Sequence, residues 1–289
     1  MKFFIAFLFS VCVICNSSFG QEELLDEPIK EEKVMATFKT TRIVNAHSVE
    51  TVKKKTLDFR ITHHFGDVGG DNGGGHSLFG LDNAADIRIA FEYGINDRLT
   101  AGFGRSKIGE MLDAHLKFRL FQQTTKNSSP VSLTLLANTG FTPVKNVNKT
   151  YDKFANRFSY TYQLLLARKF NKNLSLQLIP SLVHRNVIFN TQDKNDLFSL
   201  GIGGRYKFTK RFALLVDYFY TFSDLRQDSD VYSDPLGVGV EIETGGHVFH
   251  IFFTNNSGIV ENTFIPNTTS SWTKGEFKLG FNISRVFSF

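Results

Sequence analysis

Phe277-Lys-Leu-Gly-Phe-Asn-Ile-Ser-Arg-Val-Phe-Ser-Phe289 is the stretch whose reading decides the fold. Every odd position but one is apolar: Phe277, Leu279, Phe281, Ile283, Phe287 and Phe289. The even positions hold Lys278, Gly280, Asn282, Ser284 and Ser288, with Val286 the exception. Successive side chains of a strand point to opposite faces, so this period of two predicts a strand with one apolar face that ends on an aromatic residue.

The same alternation recurs upstream. Ala85, Ile87, Ile89, Phe91 and Tyr93 oppose Asp86, Arg88, Ala90 and Glu92. Leu112, Ala114, Leu116, Phe118 and Leu120 oppose Asp113, His115, Lys117 and Arg119. Phe212, Leu214, Val216, Tyr218 and Tyr220 stand opposite Asp217. Twelve strands are expected, over residues 56–65, 84–94, 98–106, 111–122, 130–141, 157–170, 174–189, 197–208, 212–223, 236–244, 247–255 and 274–289. Most approach the roughly 9–11 residues with which a tilted strand crosses a membrane. Pro180 removes a ladder hydrogen bond and predicts a bulge in the seventh strand.

Connection lengths separate a membrane barrel from a soluble one. Ile95-Asn-Asp97, Asn171-Lys-Asn173, Thr209-Lys-Arg211 and Gly245-Gly246 are short, and Gln123–Ser129 is somewhat longer. The intervening Gly66–Asn83, Pro143–Asn156, Asp224–Pro235 and Asn256–Thr273 are long. Short periplasmic turns alternating with long outer loops are the pattern of outer-membrane barrels, and neither a lipocalin-like barrel nor a sandwich has reason to sort its loops this way. The fold expected is all-β, a transmembrane antiparallel up-and-down barrel of about 12 strands. The final strand, with Phe287 and Phe289 on its lipid face, resembles the assembly signal of such barrels. Arg285 breaks the apolar face but lies close enough to the end to snorkel.

Residues 1–20 read as a secretory signal peptide. Lys2 precedes the apolar stretch Phe3–Ile14, too short for a membrane helix, and Ser18 and Gly20 place small residues at the −3 and −1 positions before Gln21. Cys15 invites a lipoprotein reading, which Ile14 argues against. The only cysteines, Cys12 and Cys15, fall in this segment, so the mature chain is thiol-free and disulfides, zinc-thiolate sites and cysteine nucleophiles are excluded. Gln21–Lys33 is acidic and reads as a periplasmic tail. Val34–Lys55 admits three readings: an extra strand, a strap or a lumen plug. Residues 56–289 are then the barrel.

Hydrophobic residues make up 42% of the chain and mean hydropathy is −0.14, as expected when lipid-facing and lumen-facing residues alternate. The 31 phenylalanines would supply interfacial aromatic girdles. The net charge of +5 is dispersed, which excludes a nucleic-acid patch.

Thr41-Arg-Ile-Val-Asn-Ala-His-Ser48, Ile61-Thr-His-His-Phe-Gly66 and His76-Ser-Leu-Phe-Gly-Leu-Asp-Asn-Ala-Ala-Asp-Ile-Arg88 resemble an uncharacterised β-barrel family of Bacteroidota, a domain of unknown function. The resemblance runs from about Thr37 to Phe289. It implies an outer-membrane barrel and carries neither substrate nor catalytic residues.

Motifs with chemical readings resolve to plainer ones. Asp67-Val-Gly-Gly-Asp-Asn-Gly-Gly-Gly-His76 lacks the Lys-Ser/Thr of a P-loop and most EF-hand ligands, and reads as a flexible outer loop. His63 and His64 point to opposite faces and cannot chelate together. A lumen pair such as His64 with His115 has no support from spacing, and neither a metal nor a cofactor is expected. Without a Gly-x-Ser-x-Gly elbow, or a serine and histidine on one face, a hydrolase ranks third among the functions.

The inward face carries the functional expectation. Arg60, Asp86, Arg88, Glu92, Asp113, Lys117, Arg119, Arg205, Asp217 and Glu241 should line the lumen, together with Gly102, Gly104, Gly201, Gly203, Gly237 and Gly239. A narrow channel or binding barrel for a small polar or charged solute is the leading reading, and a non-conducting structural or partner-docking barrel is the alternative. The expected partners are outer-membrane lipid, the barrel-assembly machinery and a small solute. A monomer in the outer membrane, its N-terminal tail in the periplasm, completes the picture.

Overall fold

The alternation that predicts strands also dictates how they close. Along Ile87–Tyr93 the odd side chains alternate with buried Arg88, Ala90 and Glu92, so each strand has one face outside and one inside. In the computed structural model, which describes residues 31–146, 149–228 and 230–289, twelve antiparallel strands form a closed barrel with only sequential neighbours and a β1–β12 seam. They are β1 (Thr56–Asp67), β2 (Ala84–Asn96), β3 (Leu99–Ser106), β4 (Leu112–Phe121), β5 (Ser132–Phe141) and β6 (Phe158–Lys169), followed by β7 (Leu174–Arg185), β8 (Asp196–Lys207), β9 (Phe212–Phe222), β10 (Leu236–Thr244), β11 (His247–Thr254) and β12 (Lys278–Ser288). The expected signal peptide and most of the acidic tail lie outside the described residues. No helix among those described is long and apolar enough to cross a membrane.

The seam is set by the terminal strand. Thr56 pairs with Ser288 and Asp67 with Lys278, and Lys278 is buried with its Nζ 2.5 Å from the Asp67 carboxylate. Arg285 lies outside, its guanidinium 5.0 Å from the Phe287 ring centroid.

Three expectations are corrected. The seventh strand stops at Arg185 rather than 189, because Asn195 closes the turn by donating to the Arg185 carbonyl. The last strand begins at Lys278 rather than 274, since Gly275 adopts positive φ (75°) and turns the chain. Pro180 makes no bulge: it pairs with Leu200 in an unbroken β7–β8 register, and β6–β7 keeps one register on either side of it. The missing N–H removes a bond without displacing the strand, because the neighbouring pairs hold the ladder. Register shifts occur instead near His64 of β1, Gly94 of β2 and Arg119 of β4.

Residues 37–49 form neither an added strand nor a strap across one end. All but Lys39, which stays exposed, are buried, folded into a hairpin within the barrel. The Ile43 amide donates to the Ala46 carbonyl (2.8 Å) and Ser48 to Thr41 (2.9 Å), so the tip is Val44-Asn45. The segment enters and leaves beside short turns. Val34 donates to the Gln123 carbonyl (2.8 Å), and Lys55 to Gly94 (2.9 Å). From the long-loop end a second element reaches in: the helix Glu261–Asn267, whose Glu261, Phe264, Ile265 and Pro266 are buried.

Candidate functional site: the filled lumen

The interior has two unlike walls. The inward face of β5–β9 carries an apolar set, Leu136, Leu165, Ile179, Val183, Leu197, Leu215 and Phe219, that packs with Phe38, Ile43, Val44 and Val49 of the hairpin and Phe264 of the inserted helix, interspersed with polar positions such as Thr134, Gln177 and Asp217. On β1, β2 and β4 the inward face is charged. The hairpin is therefore amphipathic within the barrel, with an apolar side in a core of soluble-protein type and a polar side against buried ions.

The ten residues expected to line the lumen all project inward, nine of them buried and Arg119 partly so. They meet protein rather than an open passage. The Arg60 guanidinium is 2.9 Å from Asp58 and 3.1 Å from the Thr41 hydroxyl. Arg88 makes a bidentate pair with Asp113 at 2.9 and 2.6 Å. Arg205 pairs with Glu241 at 2.6 Å and Glu243 at 3.1 Å. Arg119 reaches Glu50 at the hairpin's base, 3.3 Å away. The Asp86 Oδ1 accepts the amides of Ile87, Lys107 and Ile108, and its Oδ2 that of Ile259, so it ties one outer turn to the inserted loop.

Two residues grip the hairpin itself. The Oδ2 of Asp217 accepts the amides of Val44 (3.1 Å), Asn45 (2.7 Å) and Ala46 (2.8 Å), three successive N–H groups converging on one buried carboxylate oxygen. Three converging backbone dipoles are a ready partner for an anion. Lys117, fully buried, donates to the carbonyls of Ser48 (2.7 Å) and Glu50 (2.5 Å) on the returning arm. Thr134, Gln177 and Thr100 add bonds to Val49, His47 and Val52.

The glycines prove to be clearance rather than an open wall or simple curvature. A Cβ at Gly237 would lie 2.7 Å from both Val44 Cγ1 and Asn45 Nδ2, and one at Gly203 would collide with Ile43. At Gly94 the collision would be with the Lys53 carbonyl, a backbone group that cannot turn aside. Gly104 and Gly201 make room instead for Arg88 and Phe219.

The suggested pair of His64 with His115 does not form. His64 turns toward the long-loop end, its Nδ1 3.0 Å from the Asn256 carbonyl. His115 faces His47 and Glu92. Sequence reading missed Arg42 and Glu261, which join hairpin to inserted helix at 2.9 Å, because their separation of 219 residues leaves no local signal. A signal for the filled lumen did exist. Leu164-Leu-Leu-Ala167, Leu178-Ile179 and Ala213-Leu-Leu-Val216 are apolar on both faces, as strands buried on both sides are.

At the short-turn mouth, beside the hairpin's base, Lys39, Lys169, Lys172, Arg205 and Lys207 line a small pocket in which Glu243 is the only acid.

Among solved structures the barrel is similar to the NanC porin, at 11% identity and TM-score 0.48, over 81% of this chain and 99% of that one. The KdgM porin gives 10% and 0.46, over 81% and 99%. An outer membrane channel, COG4313 from Pseudomonas putida F1, gives 15% and 0.49, over 83% and 98%. Likeness at this level carries no argument about function. No curated protein matches in sequence. Residues 38–287 match the family described as "Membrane bound beta barrel domain (DUF5777)", a span that includes both the inner hairpin and all but the last two residues of the barrel. The chain therefore belongs to that family of membrane-bound β-barrels.

Proposed function

We propose that the protein is an outer-membrane barrel closed at rest by its own residues 37–52, and that displacement of this segment opens a path for small polar solutes, anions in preference. The observation that carries the reading is the mode of attachment. The segment is held by apolar packing and by hydrogen bonds with a few inward side chains, Asp217 accepting and Lys117 donating foremost, and not by pairing into the sheet. It can therefore leave without breaking the strand ladder. The anion preference rests on the mouth, where Lys39, Lys169, Lys172 and Lys207 line the pocket with Glu243 as its only acid and would concentrate negative solutes, Arg205 being already paired with Glu241. In this reading the short turns and the N-terminal tail face the periplasm, and lipid surrounds the exposed apolar band of Ile89, Phe91, Phe103, Leu116 and their neighbours.

Planar-bilayer recording of the purified protein tests it. Wild type should be silent or open rarely. A chain lacking residues 37–50 should pass current with an anion-selective reversal potential. Steady ohmic conductance from wild type would refute closure at rest. Silence from both chains would refute transport and leave the structural or docking barrel standing.

A further inference from the structure

Where hairpin, barrel wall and inserted helix meet, three titratable side chains converge. Glu92 of β2 and His115 of β4 both pair with Gly102 of β3, and so lie in one row across three strands. A Cβ at Gly102 would stand 2.8 Å from His115 Nδ1 and closer to other ring atoms. Only a glycine between them lets the two longer side chains lean over it, and His115 Nε2 comes to 3.8 Å from Glu92 Oε1. His47 descends on them from the hairpin, its ring centroid 4.7 Å from that of His115 and edge-on to it. One ligand atom from each of the three lies within 4.8 Å of the others.

All three side chains are buried, and none of their nitrogens or oxygens has a hydrogen-bond partner: both nitrogens of His47, both of His115 and both oxygens of Glu92. Glu261 Oε2, 3.9 Å from His47 Nε2, is in the same condition. Buried polar groups are nearly always satisfied, and several left unpaired together point to a missing partner. The neighbouring cations do not relieve them. Arg42 is bonded to Glu261 Oε1 and the Asn45 carbonyl, Arg60 to Asp58, Arg88 to Asp113, and Lys117 to hairpin carbonyls.

We propose that His47, Glu92 and His115 bind a single first-row divalent transition-metal ion, its fourth position taken by water, and so tie the inner hairpin to the barrel wall. Two imidazoles and a carboxylate are a donor set suited to zinc. Zinc bonds of about 2.0–2.1 Å require each ligand atom to move by about 1 Å from its present place. The surrounding arginines and Lys117 disfavour calcium or magnesium, which depend on carboxylate charge, more than an ion held by imidazole nitrogen. The site stands whether or not the barrel ever conducts.

The experiment refolds the full chain into detergent after EDTA treatment in urea, with and without zinc sulfate, and measures bound metal after gel filtration. One zinc per chain and a higher unfolding temperature are expected. Cobalt(II) in its place should give the intense visible bands of a four-coordinate N/O site. H47A, E92Q and H115A should each weaken binding about 100-fold or more, exceeding what outer partners of a metal ligand are worth. H184A serves as the control for adventitious surface binding, because His184 with Asp196 is an exposed alternative. Substoichiometric zinc, octahedral cobalt spectra, or metal lost in H184A but kept in H47A would each overturn the proposal. Should H115A fail to fold, H47A alters no strand, and the cobalt spectrum of the unmutated chain decides alone.

Discussion

Replacing Asp217 by alanine should free the tip of the inner hairpin while leaving the barrel folded. The Oδ2 of this carboxylate accepts three amides, from Val44, Asn45 and Ala46, at 3.1, 2.7 and 2.8 Å, and Oδ1 faces the Asn45 side-chain amide at 3.3 Å. A buried donor left without a partner costs about 1–3 kcal/mol, so three amount to about 3–9 kcal/mol, with the lower end applying if water follows the lost side chain. None of these bonds belongs to the strand ladder, so the cost falls on the closed arrangement of the hairpin. At about 1.4 kcal/mol per factor of ten, even 3–4 kcal/mol raises the population with the tip released by about 10²–10³-fold. Asp217→Asn keeps one acceptor oxygen and should give a smaller increase. Amide hydrogen exchange at Val44–Ala46 reads the release, and single-channel recording reads its consequence as a higher open probability. Unchanged exchange in Asp217→Ala would refute the anchoring role. A parallel drop in urea resistance of the whole barrel would refute the idea that the hairpin is released separately from the strands.

Arg88→Ala should lower the urea midpoint strongly, because it strands the buried Asp113 carboxylate at a cost of about 3–5 kcal/mol, whereas Arg119→Ala, partly exposed beside Glu50, should cost about 1 kcal/mol or less; equal losses would contradict these placements. At the long-loop end, burial disfavours the Asp193 carboxylate, but hydrogen bonds from Arg226 and Arg185 outweigh it and hold its pKa at about 2. Its folded value lies below its free value, so the clasp contributes fully above pH about 4 and is lost as pH falls toward 2. Exchange of the loop amides around Asp193 should stay slow at pH 4 and accelerate only near pH 2, and loss already at pH 5 would exclude the carboxylate as the cause. Phe289, 79% exposed on the terminal strand, should matter for insertion rather than stability: Phe289→Ser should reduce folded yield far more than Ser288→Ala, and equal yields would remove the assembly-signal reading.

Local period and turn chemistry determine much of this protein. Strand identity, the inward direction of Arg88, Lys117 or Asp217, and the alternation of short and long connections all follow from a repeat of two and from where glycine, asparagine and proline interrupt it. Those are nearest-neighbour properties, and a strand that must present one face to lipid has no second solution. What fills the barrel is of another kind. Asn45-Ala46 meets Asp217 across more than 170 residues, Arg42 meets Glu261 across 219, and Glu92 reaches His115 only because the register places Gly102 between them. The same inward charges suit a wet pore or a packed interior equally well. The choice between them lies in whether 37–49 finds matching clearance at Gly203 and Gly237 and matching donors and acceptors on the wall. That complementarity is a property of the closed barrel and exists nowhere along the chain, which is why only the tertiary structure decides it.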